Sequence, residues 1–333
     1  MISLVALDGA DLVDGVSVHG DLRLHELEGA GIRWVETGAA AASDADTLYV
    51  MGATRVDAEL LASMPRLRHV ARFGAGYDAI DVEACTAAGV VVTTTPAAVR
   101  RPLALAGLTM LLAVTHNLVQ KHRIATSGEW GERRRWRGVS TEGATVGIVG
   151  FGSVGAELAR MLTGLGFDVR GMNRRGRHPV AGELGIPMVG LAEALAADVV
   201  VLCAALTEQT RGMIGAEEFA LMGPDSAFVN IGRGALVDQE ALVSALQEGR
   251  IRAAGLDVFD PEPLPLDHPL RSLPQVTLAP HSLCWTDAFT EAVARSVNAS
   301  ILAVHRGEVP PAAINPEAFT APRVPPRHPA GTR

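Results

Sequence analysis

The chain has 333 residues, more than one ordinary domain, so two domains with separate cores are expected. Its 48% hydrophobic and 20% charged content describe a globular α/β protein and exclude disorder or fibre. A formal net charge of −8 argues against nonspecific nucleic-acid binding, because no global positive field would gather phosphates.

From Met1 to about Pro96, short β-rich runs alternate with helical segments. Leu4 to Leu7, Ile32 to Val35, Thr47 to Val50, His69 to Arg72 and Val90 to Thr93 read as strands. Asp57 to Met64 and Asp81 to Ala88 read as helices, each opened by an aspartate able to accept hydrogen bonds from unsatisfied first-turn amides. Residues Pro96 to Pro102 break the pattern, and one long apolar helix is expected from Leu103 to about Thr126. A second α/β unit begins at Ala144 to Gly150, with further strands at Asp168 to Met172, Val199 to Cys203, Ala227 to Ile231, Ala254 to Asp257 and Val276 to Leu278. A helix from Asp287 to about Val304 follows, and the tail after Gly307 is expected to wrap the first domain or fray. Strands alternating with helices imply parallel sheets.

Three cysteines, Cys85, Cys203 and Cys284, are too few and scattered for a disulfide framework or a metal knuckle, so a reducing cytoplasm and no metal are expected. The opening residues lack the basic region of a signal peptide. The longest apolar stretch, Leu103 to Val114, is shorter than the roughly 20 residues of a membrane span, so none is expected.

Gly150-Phe-Gly152-Ser153-Val154-Gly155 follows a strand and opens a helix. In that context glycines allow a tight turn and the close approach of a pyrophosphate, whose charge meets free amides at the helix start. About 20 positions further on, an acidic residue would normally receive the adenosine ribose hydroxyls. Asn173 stands there, followed by Arg174 and Arg175, a set that offers hydrogen bonds and positive charge to a 2′-phosphate. NADP(H) is therefore expected, with NAD(H) as the alternative.

Arg233, Glu262 and His281 each lie beside a strand-like run. A substrate carboxylate needs a planar bidentate cation, and a carbonyl becoming an alcohol needs a proton donor poised near neutral pH. Arginine and histidine supply these, and a glutamate can hold the histidine.

With the glycine motif, Asn230 to Asp238, Asp257 to Pro263 and Pro280-His281 in this order, the chain resembles the D-isomer-specific 2-hydroxyacid dehydrogenases. The likeness extends to Arg72-Phe-Gly74-Ala75-Gly76-Tyr-Asp78 and to Thr207 to Gly212. The resemblance implies two Rossmann-like, doubly wound parallel-sheet domains. One is a flavodoxin-like substrate domain from residues 1–100 and 288–333, and the other a dinucleotide-binding domain over 101–287. It implies a cleft at their junction and a homodimer formed through the cofactor domains. The catalytic arginine, glutamate and histidine fall on Arg233, Glu262 and His281. Gly74, Ala75 and Gly76, with Arg233 and His281, would receive the substrate. Cofactor contacts would come from the glycine loop, Ser153, Val154, Asn173, Arg174, Arg175, Cys203, Thr210, Ile231, Gly232 and Asp257, the last holding the nicotinamide carboxamide. Glu262 would favour the imidazolium of His281.

The chain departs from the family pattern at several places. Ser282 to Trp285 follow the histidine where small residues are usual, Met51 replaces an arginine near the substrate carboxylate, and Arg100 and Arg101 precede the long helix. Trp285 reads equally as a pocket wall or a packing residue, and Cys284 as a buried thiol. The function expected is reduction of a small 2-keto acid to an (R)-2-hydroxy acid. The alternatives are an NAD(H) enzyme for another acid, formate or phosphite included, and a nucleotide-sensing protein like the corepressors of this superfamily.

Overall fold

A computed structural model describes residues 3–10, 12–13, 16–17, 19–52, 54–140, 142–310 and 312–323. The chain separates into two compact units, Met1–Val99 with Trp285–Arg333, and Arg100–Cys284.

In the first unit, strand β1 (Leu4–Asp8) leads into a short antiparallel ribbon, β2 (Leu12–Val13) and β3 (Val16–Ser17), then helix α1 (Leu24–Gly29). Strand β4 (Arg33–Glu36), strand β5 (Thr47–Val50), helix α2 (Ala58–Ser63), strand β6 (His69–Arg72), helix α3 (Val82–Ala87) and strand β7 (Val91–Thr93) follow. The parallel sheet runs β4-β1-β5-β6-β7, the flavodoxin-like order once the ribbon is set aside. Asp57 caps α2 by accepting from Glu59 and Leu60, and Asp81 caps α3 by accepting from Ala84 at 2.8 Å, as their positions predict. Leu4, Ala6, Leu48, Val50, Val70 and Val92 are buried against Leu61 and Cys85 of these helices, which is why the strands read as continuous apolar runs.

Helix α4 (Pro96–Thr115) differs from expectation, because it begins at Pro96 and carries Pro102 inside it. A proline at the helix start loses no bond, since first-turn amides have no intrahelical acceptor. Its length and mean hydropathy of 1.5 would suffice for a bilayer, yet Ala104, Met110, Leu111 and Val114 belong to the second unit's core. Asn117, left-handed at φ 52°, separates α4 from α5 (Leu118–Ser127), so the expected single helix is two.

The second unit continues with β8 (Thr145–Val149), α6 (Ser153–Gly164), β9 (Asp168–Met172), α7 (Pro179–Leu184), α8 (Leu191–Leu195) and β10 (Val199–Leu202). Helix α9 (Ala216–Ala220), β11 (Ala227–Asn230), α10 (Gln239–Gln247), β12 (Ala253–Leu256) and β13 (Val276–Leu278) complete it. Its parallel sheet runs β13-β12-β11-β10-β8-β9, and a parallel bridge from Gly171 to Met188 adds one further position outside β9. Counted with that bridge, the order is the doubly wound dinucleotide-binding one. A Cβ on Gly255 would come within 2.6 Å of Met110, so the bare strand β12 is what lets α4 lie close.

Helix α11 (Asp287–His305) returns the chain to the first unit and buries Phe289, Val293, Val297 and Ile301. Beyond it, Asn315 accepts from the Val92 amide at 2.7 Å and donates to Thr86 and Val90, tying the tail along β7. The rest of the tail, 324–333, lies outside the described residues.

Candidate active site

Three adjacent strands of the second sheet deliver the trio. Arg233 follows β11, Glu262 lies on the loop after β12, and His281 follows β13 with a left-handed backbone at φ 53°. All three therefore leave the sheet at the carboxyl ends of neighbouring strands, where open α/β sheets bind ligands.

His281 Nδ1 lies 2.7 Å from Glu262 Oε2, and the other carboxylate oxygen accepts from the Phe259 amide at 2.8 Å. Burial works to raise the Glu262 pKa. The His281 hydrogen bond, the Phe259 amide and the positive charges of His281 and Arg233 outweigh it, so the carboxyl is held below its ordinary value. With Nδ1 engaged, Nε2 is the ring nitrogen left to exchange a proton.

Arg233 is positioned by Asn230, which is 1% exposed and which composition alone does not mark as functional. Its side chain accepts from the Gly232 amide at 3.0 Å and donates to the Arg233 carbonyl at 2.9 Å. The next residue must be glycine, because a Cβ on Gly234 would fall 1.9 Å from the carbonyl carbon of Phe259. The arginine turn thus lies directly on the loop that carries Glu262. Asp257, 2% exposed, accepts from the Ser282 and Leu283 amides at 3.1 and 3.3 Å and so anchors the segment that follows His281. Burial raises its pKa against the opposing pull of those amides.

The glycine loop fits a dinucleotide. Gly150 sits at φ +100° with no room for a Cβ, which would meet Ala204 N at 2.3 Å, and a Cβ on Gly155 would meet the Gly150 carbonyl at 2.8 Å. At Gly152, by contrast, a Cβ would meet only the Gly150 oxygen at 4.0 Å, leaving the start of α6 open. No side chain caps that helix and no acidic residue occupies its first turn, the arrangement that an anion site at a helix start requires.

Several expected cofactor residues also make contacts within the protein. Asn173 donates to the Phe151 and Arg177 carbonyls and accepts from the Arg175 amide, so its amide group closes its own loop. The exposed Arg174 donates to Gln209 at 3.2 Å, and Arg177, which the motif reading passed over, stands exposed in the same loop. The Thr210 hydroxyl closes a turn on Thr207 and the Ala205 carbonyl. Ile231 is 2% exposed and packs in the core, near Gly107 of α4. Cys203 Sγ donates to the Gly150 carbonyl, and burial pushes its thiol up to about 12. Cys284 is pushed up to about 11 by burial, a poor nucleophile. Gly232 packs against Ala204.

In the first unit, Gly74 adopts φ +122° and its amide donates to Thr95 Oγ1 at 3.0 Å. Arg72 donates to the Gly76 carbonyl at 3.0 Å and also to the Gly52 carbonyl, fixing the turn from below. Met51 is buried, and the exposed Arg101 pairs with Glu157 at 2.8 Å. Among the described residues, no group of three or more His, Cys, Asp or Glu is placed to hold a metal.

The family model for the D-isomer-specific 2-hydroxyacid dehydrogenase NAD-binding domain matches residues 108–282. A glyoxylate reductase of Thermococcus onnurineus is 41% identical over 283 residues, 83% of this chain and 84% of that protein. A protein of Thermus thermophilus superposes with a TM-score of 0.83 at 32% identity, covering 93% of this chain and 99% of that one. An NADPH-dependent glyoxylate/hydroxypyruvate reductase of Sinorhizobium meliloti, solved with NADP and malonate, gives 0.82 at 27% identity over 97% and 99%. The chain belongs to the D-isomer-specific 2-hydroxyacid dehydrogenases, oxidoreductases that use a nicotinamide dinucleotide.

Proposed function

We propose that this protein reduces small 2-keto acids of the glyoxylate and hydroxypyruvate kind to (R)-2-hydroxy acids, with NADP(H) as the preferred cofactor. The observation that carries the reading is the 2.7 Å His281–Glu262 pair beside Arg233, at the carboxyl ends of three adjacent strands. The guanidinium of Arg233 binds the substrate carboxylate and draws charge from the keto oxygen. His281, held through Nδ1 by an ionised Glu262, gives the Nε2 proton to that oxygen in reduction and takes it back in oxidation. A bound nicotinamide supplies the hydride. Asp257 keeps the His281 segment in place through the 282–283 amides, and the open start of α6 receives the pyrophosphate.

The preference for NADP(H) is supported by the exposed Arg174, Arg175 and Arg177, in a loop with no acidic side chain from 173 to 178. The Sinorhizobium meliloti relative, whose structure holds NADP, points the same way. We further propose that the second unit is the cofactor domain and the first the substrate domain, and that the enzyme is a cytoplasmic homodimer.

The test is consumption of NADPH and NADH over a panel of 2-keto acids. His281→Ala should lose turnover by about 100-fold or more while binding NADPH normally. Full activity in that variant would remove the proton-transfer role. Arg174→Ala with Arg175→Ala should weaken NADPH and spare NADH; equal loss for both would favour the NAD(H) alternative.

A further inference from the structure

The first unit carries an aromatic surface that the reaction itself does not require. Phe73, 8% exposed and immediately before Gly74, contacts Tyr49 and Phe289 inward and His19 outward, with ring centroids 6.2 Å apart for the last. His19 in turn meets Trp285 edge-on at 4.9 Å, and Trp285 is 48% exposed. The rings form a ladder from the core to an open indole.

The His19 ring is fixed, and the backbone of Trp285 is held by the helix cap that follows it. His19 Nε2 bonds the Gly9 carbonyl at 3.0 Å, its backbone amide meets Ser17 Oγ, and its carbonyl accepts from Thr290 on α11. Trp285 directly precedes Thr286, which caps α11 by accepting from Phe289. Gly9 follows β1 and Gly52 lies two residues beyond β5, and their backbones abut so closely that a Cβ on Gly9 would lie 2.7 Å from Gly52 N. The strand order reverses between β1 and β5, so this edge is the crevice where such sheets take ligands. Arg72 joins Gly52 and Gly76 at the same edge.

We propose that the enzyme also accepts 2-keto acids larger than glyoxylate and hydroxypyruvate, and that His19 and Trp285 form the recognition surface for their substituent, which is apolar and planar or branched, an aryl or branched-alkyl group on C3. The inference rests on the reading that Gly74 to Gly76 receive the carboxylate. An aryl or branched substituent carries apolar surface that an exposed indole can cover, and a two-carbon acid carries none. A tryptophan beside polar backbone is the mixture that small-molecule sites use, an apolar wall with a few convergent polar groups.

The experiment compares kcat/KM for glyoxylate, 4-methyl-2-oxopentanoate and phenylpyruvate in the wild type, Trp285→Ala and Trp285→Phe. It is paired with calorimetric binding of glycolate and (R)-3-phenyllactate to the cofactor-loaded proteins. The wild type should reduce phenylpyruvate as well as glyoxylate. Trp285→Ala should lose about tenfold for phenylpyruvate and for phenyllactate binding, stay within about twofold for glyoxylate, and recover with Trp285→Phe. Equal loss for large and small acids, no loss, or a gain for phenylpyruvate in Trp285→Ala would overturn the proposal. The absence of turnover with every acid would sink the reductase reading instead, and the binding comparison would still decide the role of Trp285.

Discussion

Glu262 holds His281 with one carboxylate oxygen, Oε2 to Nδ1 at 2.7 Å, and its own loop with the other, which accepts the Phe259 amide. One side chain therefore both orients the histidine and fixes the strand-end loop on which it stands.

In Glu262→Gln the histidine loses its charged partner, so reduction should slow by about 10- to 100-fold. Steady-state kinetics checks this, and an unchanged rate would contradict it. The depressed Glu262 pKa also sets a sign for stability. Its contribution is fully present above the unfolded value near 4.5 and is lost as pH falls through the lower folded value. Because the pair is partly exposed, the Gln variant should lose less than about 1 kcal/mol at neutral pH, and the difference should vanish in strong acid.

Gly234→Ala should destabilise the second unit by about 3 kcal/mol, since its Cβ would overlap the Phe259 carbonyl group at 1.9 and 2.1 Å and backbone must move. Activity should fall with it. Gly182→Ala, where nothing lies within 4 Å, is the control and should be neutral or slightly stabilising. Urea denaturation of both variants separates a local clash from a general intolerance of side chains.

His69 is fully buried on β6, its Nε2 is 2.8 Å from Thr93 Oγ1, and burial pushes its pKa down to about 3. The folded state refuses a proton that the unfolded chain binds below about pH 6.5, so stability should fall as pH drops from there. Between pH 7 and pH 5 the loss from this group should be about 2 kcal/mol. His69→Gln should abolish that part of the slope, as denaturation midpoints at the two pH values would reveal.

The core strands were legible because a parallel sheet covered on both faces demands unbroken apolar runs, as at Val199 to Leu202 and Thr47 to Val50. Asp57 and Asp81 were legible because capping is decided within three residues. The trio and the glycine loop could be read because motif order carries them. What escaped depends on distant chain segments. Pro102 sits within α4 although its local signal is a break, and Asn117 ends that helix without glycine or proline. The bonds by which the Asn173 and Asp257 side chains also hold the loops around them are set by the folded backbone, which no local pattern reveals. The contact between His19 and Trp285 joins opposite ends of the chain, where no spacing rule reaches.

The closed loop of Asn173 makes the cost of change uneven along one short stretch. The side chains of Arg174, Arg175 and Arg177 lie on the surface and can be exchanged one at a time without touching the bonds that close the loop. A change at Asn173 instead releases the Phe151 and Arg177 carbonyls and the Arg175 amide together. Substitution is therefore mild at the rim of this loop and abrupt at its root.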